Sequence, residues 1–190
     1  MDVNPWEKKW KVMKEYDESA AFYDARFNDE QTRKYEAALK TVKIIQNHVV
    51  LDAGCGTGLL IERIAKLAHL IIGIDFSRQM IKLSKYKLRN SKNVELICAD
   101  VDYLPLRNLI FDQVFAITLL QNLPDPIRSL KEIIRVTKTS GNLIVTGLKK
   151  NFTHQDFTNM MKKVGLETLV FINGAEELKD YIGIYKLRLT

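Results

Sequence analysis

Residues 51 to 58 read LDAGCGTG, with glycines at 54, 56 and 58. The stretch follows an apolar run and opens an amphipathic one, so it forms a turn from a strand into a helix. In a doubly wound sheet that turn lies at the carboxyl edge, where ligands bind. Gly54, Gly56 and Gly58 carry no Cβ, so their backbone can approach a ligand closely. The first N–H groups of the following helix are free to face it. The next apolar run ends in Asp75, a carboxylate able to accept from both hydroxyls of a ribose. The run after that ends in Asp100, an acceptor for the exocyclic amine of an adenine. Three successive strand tips therefore carry polar groups suited to one nucleoside.

The spacing also discriminates between nucleosides. A dinucleotide site needs its third glycine at the helix–sheet contact, and Leu59 stands there. Asp52, just ahead of the loop, would repel a pyrophosphate and suits a cationic amine such as the methionine ammonium of S-adenosylmethionine. A second group follows the fourth apolar run, in ITLLQNLPDP (117–126). The amides of Gln121 and Asn122 could orient a substrate there or cap the loop. His48, His69 and His154 fall at element ends, where structural or solvent-facing roles are expected. Cys55 and Cys98 match no metal-ligand spacing and read as reduced thiols.

Positioning these groups requires strands alternating with helices. Apolar runs occur at 48–54, 69–76, 93–100, 111–118, 142–149, 166–172 and 180–189. Helical patterns fill four of the gaps, at 59–68, 78–89, 125–137 and 154–164. Ser77 and Thr153 serve as N-caps, Pro126 suits a first turn, and Gly165 marks a stop. Such alternation builds βαβ units around a mainly parallel sheet. The last two runs are joined by NGAEELK alone, too short for a crossover, so they pair antiparallel. Residues 1–45 are polar and helical, with Tyr35, Leu39, Val42 and Ile45 expected on one stripe.

Length and charge set bounds. A chain of 190 residues, 46% apolar and 27% charged, is one globular domain. No apolar run reaches a membrane span, and the start lacks a secretion pattern, so a cytoplasmic location is expected. The net charge of +6 is uneven: Ser77 to Lys92 holds six cations and no acid. Arg78, Lys82, Lys85 and Arg89 share a helix face, which is either a solvated surface or an attraction to phosphates.

The motifs VVLDAGCGTG, IIGIDFSRQM, LICADVDYLP, FDQVFAITLLQNLPDP and TKTSGNLIV, in this order, resemble the class I S-adenosylmethionine-dependent methyltransferases, near their type 11 group. The likeness spans about residues 48 to 146, and YDESAAFYD looks like that family's lid. It implies a seven-stranded sheet of order 3-2-1-4-5-7-6 with the last strand antiparallel. It also implies a helical lid and substrate segment (1–45) over a cofactor-binding core (46–190). By resemblance, Asp52, Gly54, Gly56 and Gly58 wrap the methionine part and Asp75 holds the ribose. Phe76 and Met80 pack on the adenine, Asp100 and the Val101 N–H meet its edge, and Ile117 lies near the sulfonium. Tyr16 and Tyr23 close over the cofactor. No residue is obligatory for the transfer itself, and Gln121 and Asn122 are the catalytic-loop candidates. No metal is expected. The motif of amide and adenine methylases is missing, because Leu123 follows Asn122. A small-molecule acceptor is expected, with RNA, a protein, or a non-catalytic cofactor-binding role as alternatives.

Overall fold

In the computed structural model, which describes residues 4–174 and 178–188, seven strands form one sheet. They are β1 (Val49–Ala53), β2 (Leu70–Asp75), β3 (Val94–Cys98), β4 (Phe111–Ala116), β5 (Thr137–Leu148), β6 (Leu166–Ile172) and β7 (Asp180–Leu187). Their order is β3-β2-β1-β4-β5-β7-β6. The first five pair in parallel, and β7 runs antiparallel to both β5 and β6. The sheet order and the antiparallel end agree with the expectation from sequence. Part of the β6–β7 connection, Ala175 to Glu177, and Leu189 of the last apolar run lie outside the described residues.

The helices are α1 (Pro5–Leu39), α2 (Leu59–Ile64), α3 (Arg78–Lys87), α4 (Pro126–Val136) and α5 (His154–Lys163). Ser77 and Thr153 cap α3 and α5 through their side chains, as their sequence positions imply. Alternate residues of each central strand feed two cores. Leu51, Val114 and Leu143 pack with Leu130, Ile133, Phe157 and Met161 of α4 and α5. Val50, Phe115 and Ile144 pack with Tyr35, Leu60, Ile61 and Ile81 of α1, α2 and α3. Both faces are covered, which is why the runs for β1 and β2 are continuously apolar.

Three expectations fail at element boundaries, the smallest being α2, which ends at Ile64 and not at Ala68. The helix of residues 1–45 ends at Leu39, so Val42 and Ile45 do not continue a stripe from Tyr35. No glycine or proline marks that end; Thr41 turns back on the Ala38 carbonyl instead. β5 begins at Thr137 and not at Asn142, because Thr137 pairs with Phe111 before a register shift that leaves three extra residues in β5. A Cβ at Gly141 would stand 2.8 Å from the Phe111 carbonyl oxygen, so only glycine lets the strands approach there.

Candidate active site

Helix α1 lies along the carboxyl edge of the sheet and fastens to strand tips and flanking helices in turn. Asp17 accepts from the Ser77 hydroxyl and from the Gln79 N–H at the start of α3. Asp24 binds Thr57 of the glycine loop and Lys87 of α3, each at 2.5 Å. Between α1 and the tips of β1 to β4 is a cavity of about 780 Å³, its open mouth included. Tyr16, Tyr23, Gly54, Gly56, Asp75, Phe76, Met80, Asp100, Val101, Ile117 and Asn122 all line it. Asp52, Gly58 and Gln121 do not.

The glycine loop shows why its composition matters. Gly54, Gly56 and Gly58 have φ of 80°, 52° and 81°, values that favour glycine. A Cβ at Gly56 would meet nothing within 4 Å, whereas at Gly58 it would stand 2.5 Å from Ser84 Oγ and 2.9 Å from Leu88. Gly56 therefore keeps the cavity wall low, and Gly58 lets α2 and α3 pack. Asp75 braces the loop: its Oδ2 accepts from the Gly56 N–H at 2.9 Å and its Oδ1 from the Ser77 N–H at 2.8 Å. A carboxylate has about four acceptor directions, so each oxygen keeps one spare. Burial pushes the Asp75 pKa up, against these two amides, which pull it down. Asp52 is 3% exposed, and none of the described residues hydrogen-bonds to its side chain. Burial, reinforced by the Asp75 charge, raises its pKa to about 8. This is a nearly isolated buried acid, suited to a cation. Cys55 is also buried and its thiol pKa is pushed up, which makes it a poor nucleophile.

At the β3 tip, Asp100 is already engaged. Lys9 of α1 is 7% exposed and donates to both Asp100 oxygens, at 2.7 and 2.6 Å, and to Asp102 at 2.5 Å. The Asp102 N–H takes a further position on Asp100 Oδ1, and Ser129 of α4 holds Asp102. One acceptor direction of Asp100 is left, on Oδ2. Next to it, Val101 opens a one-turn helix, where first amides lack an intrahelical partner. Trp10 packs against Phe76 with ring centroids 6.1 Å apart, and Met80 is buried beneath.

The β4 tip is the most constrained point. Thr118 has φ 58°, an outlier for a β-branched residue that costs roughly 1–3 kcal/mol. All its polar groups are tied down. Its N–H donates to Thr146, and its carbonyl accepts from Asn122 Nδ2 at 2.9 Å. Its hydroxyl accepts from Lys34 and donates to Gln31, each at 3.1 Å. Asn122 Nδ2 also donates to the Tyr16 hydroxyl at 2.9 Å, so Asn122 links loop, strand tip and α1. Gln121 faces away from the cavity, with its Oε1 buried and unpartnered. Lys34 is 1% exposed and sits 2.7 Å from Asp180 and 3.0 Å from Glu30. Lys9, Gln31, Lys34, Thr118 and Asp180 escaped the reading of the sequence. The available signal was helical spacing along α1, through 9, 13, 16, 20, 23, 27, 31, 34 and 38, but several of those positions are polar.

Among the described residues no group of His, Cys, Asp and Glu could hold a metal ion, and no helix is long and apolar enough to cross a membrane.

Comparison with known proteins places this architecture. A family model described as "Methyltransferase domain" matches residues 51–145. The ubiquinone biosynthesis O-methyltransferase of Coxiella burnetii is 34% identical over 104 residues, 54% of this chain and 44% of that protein. The malonyl-[acyl-carrier protein] O-methyltransferase of a Marinomonas species is 30% identical over 153 residues, 78% of this chain and 56% of that one. The chain thus spans about half the length of these relatives. A crystal structure of a SAM-dependent methyltransferase from Aquifex aeolicus shares the fold, with a TM-score of 0.70 and 21% identity, over 82% of this chain and 89% of that one.

Proposed function

The chain belongs to the methyltransferase-domain family, and from that premise we propose that it transfers a methyl group from S-adenosylmethionine to a small-molecule acceptor. The observation that carries this reading is the donor and acceptor count of the cavity. Asp75 keeps one acceptor direction on each oxygen, which matches the two hydroxyls of a ribose. Asp52, just outside the cavity lining and buried without a hydrogen-bond partner among the described residues, suits the ammonium of the methionine tail. Asp100 keeps one direction for the adenine amine, while Phe76 and Met80 supply an apolar wall.

When bound, the cofactor supplies a methyl group activated by its sulfonium. The protein then needs only to hold an acceptor in line and keep water out. Ile117, Leu119 and Leu123 from the β4 tip, with Val12 and Met13 of α1, give the cavity an apolar lining for that task. Asn122 is the polar group of the loop best placed to orient the acceptor. A small acceptor is favoured because α1 spans the carboxyl edge and walls one side of the cavity. The two relatives are named for O-methylation in ubiquinone biosynthesis and of a malonyl carrier, which supports an acceptor of that size class. Two unpaired cysteine thiols go with a cytoplasmic setting.

RNA is the second reading. Arg78, Lys82, Lys85, Arg89 and Lys92 are exposed on or just beyond α3, and none is in an ion pair among the described residues. Calorimetry with S-adenosylhomocysteine tests the cofactor site: Asp75→Ala loses affinity by roughly 100-fold, the cost of hydrogen bonds to a charged group. Unchanged affinity would overturn the assignment. Labelled methyl transfer into fractionated cell extract tests the acceptor. Label is expected in the small-molecule fraction, and label in the RNA fraction replaces the first reading with the second.

A further inference from the structure

We propose that Lys34 is a positioning residue of this site: acting through Thr118 and Gln31, it reserves the Tyr23 hydroxyl proton for the carboxylate of the cofactor's amino-acid tail. This rests on the cofactor reading above and extends it to residues that no motif marks.

The argument is one of direction. An ammonium has donors only. Lys34 donates to Thr118 Oγ1 at 3.1 Å, which occupies the acceptor side of that hydroxyl. The Thr118 proton therefore goes to Gln31 Oε1, also at 3.1 Å. That bond fixes which way the Gln31 amide faces, so its Nε2 is turned to Tyr23 and donates to the phenol oxygen at 3.4 Å. Tyr23 thus receives a bond from the protein. No acceptor for its own proton stands within hydrogen-bonding distance among the described residues, and Tyr23 lines the cavity. Every link runs in the same sense, an arrangement in which successive bonds polarise one another.

Tyr16 reaches the same state by a separate route. The Thr118 carbonyl can only accept, so it fixes the Asn122 amide with Nδ2 facing it, and the same nitrogen donates to the Tyr16 hydroxyl. The two phenol rings are 6.0 Å apart. Burial raises the pKa of both, so both keep their protons. Two protonated phenols, each already accepting from an amide, form a donor pair for an anionic oxygen. The pair suits the carboxylate end of a zwitterion, and Asp52, buried ahead of the glycine loop and outside the cavity lining, is the acid left for its ammonium end. The strained backbone of Thr118 is where both routes meet, which accounts for the number of bonds spent on holding it.

Lys34→Met alone would leave the buried Asp180 without its paired ammonium, so the chain is better tested at Gln31. S-adenosylhomocysteine carries the amino-acid tail, and 5′-methylthioadenosine lacks it; calorimetry with both separates tail recognition from the rest of the site. In Gln31→Glu the new carboxylate can only accept, so it draws the Tyr23 proton away from the cavity. Affinity for S-adenosylhomocysteine is expected to fall on the order of tenfold or more, the weight of a hydrogen bond to a charged group. Affinity for 5′-methylthioadenosine should stay within about twofold, inside the scatter of a site that lost no contact. Gln31→Met, which adds no charge, should lower S-adenosylhomocysteine binding by a few-fold in the same selective way. The double variant Lys34→Met/Asp180→Leu, folded by circular dichroism, should reproduce that selective loss, and Lys34→Arg should not show it. Unchanged tail binding in Gln31→Met or in the double variant overturns the proposal, as does a parallel fall for both ligands. Wild-type protein that binds neither ligand overturns the cofactor reading instead.

Discussion

Helix α1 buries one lysine near each end, and the two are handled differently. At the N-terminal end, Lys9 bridges Asp100 and Asp102, and Ser129 and the Asp102 amide complete the cluster. At the C-terminal end, Lys34 lies 2.7 Å from Asp180, yet neither Asp180 oxygen receives a well-directed hydrogen bond. Asp180 is fully buried, and burial outweighs the Lys34 charge, so its pKa is raised. One end is a satisfied latch. The other is a charge pair held off its best geometry while its ammonium serves Thr118. The difference separates a cluster built to hold the helix down from one that also sets the direction of a functional chain.

Removing each lysine is the most forceful way to test that contrast. Lys34→Met should destabilise the fold by about 3–5 kcal/mol, the usual cost of stranding a buried partner. Adding Asp180→Leu should recover most of the loss, because the pair is then replaced by apolar volume. Lys9→Met should cost less, since Asp100 opens on the cavity and can rehydrate. Its larger effect should be on release of S-adenosylhomocysteine, accelerated as the latch beside Asp100 opens. Urea denaturation and stopped-flow release measure the two quantities. Equal destabilisation with equal release rates would mean that the ends do not differ in kind.

A second contrast lies between the two acids on either side of the glycine loop. Asp75 is satisfied by backbone amides, whereas Asp52 is buried without a hydrogen-bond partner among the described residues and its pKa is raised to about 8. A group whose folded pKa lies above its ordinary 3.8 retains a proton that the unfolded chain releases. The stability it contributes is present below about pH 4 and is lost as pH rises towards 8. An arriving ammonium reverses the preference, because it favours the ionised carboxylate. Binding of S-adenosylhomocysteine at pH 7 should therefore release on the order of one proton, seen by calorimetry in buffers of different ionisation enthalpy. Asp52→Asn should abolish the release and flatten the decline in stability between those pH values. Proton release that survives in Asp52→Asn would assign it to another group.

These contrasts mark what the sequence could disclose. The strand tips were legible because Asp75 and Asp100 end apolar runs and the glycines interrupt one, and local pattern carries that information. The order of the sheet came with the family resemblance. The start of β5 was hidden by TKTSG, a polar stretch that pairs with Phe111 at Thr137 and then bulges by three residues before the register resumes at Asn142. The lysines of α1 were hidden for a stronger reason. A search for helical periodicity looks for apolar residues, and the inward face of α1 carries Lys9, Gln31 and Lys34. Their burial is licensed by Asp100, Thr118 and Asp180, partners that lie far along the chain. Thr118 could not be singled out either, because its left-handed backbone is imposed by bonds from α1, β5 and its own loop. Asn122 and Gln121 looked equivalent in sequence, and only the turn after β4 sends one to the cavity and the other into the protein.

The weakest expected effect concerns the surface of α3, against which the enclosed cavity can be compared. Its cations repel one another at helical spacing, and each such pair costs a few tenths of a kcal/mol. Lys82→Gln with Lys85→Gln should therefore leave stability within about 0.5 kcal/mol, as for substitutions away from packed features. Binding of bulk tRNA should be weak and should fall with salt by mass release of counterions, with a slope reduced by about two in the double variant if both lysines meet phosphates. S-adenosylhomocysteine affinity should be unmoved, because α3 reaches the cavity through Ser77 and Met80 at its other end. A salt slope unaltered by the double variant would leave the basic face as a solvated surface, and the small-molecule reading would then stand without its RNA rival.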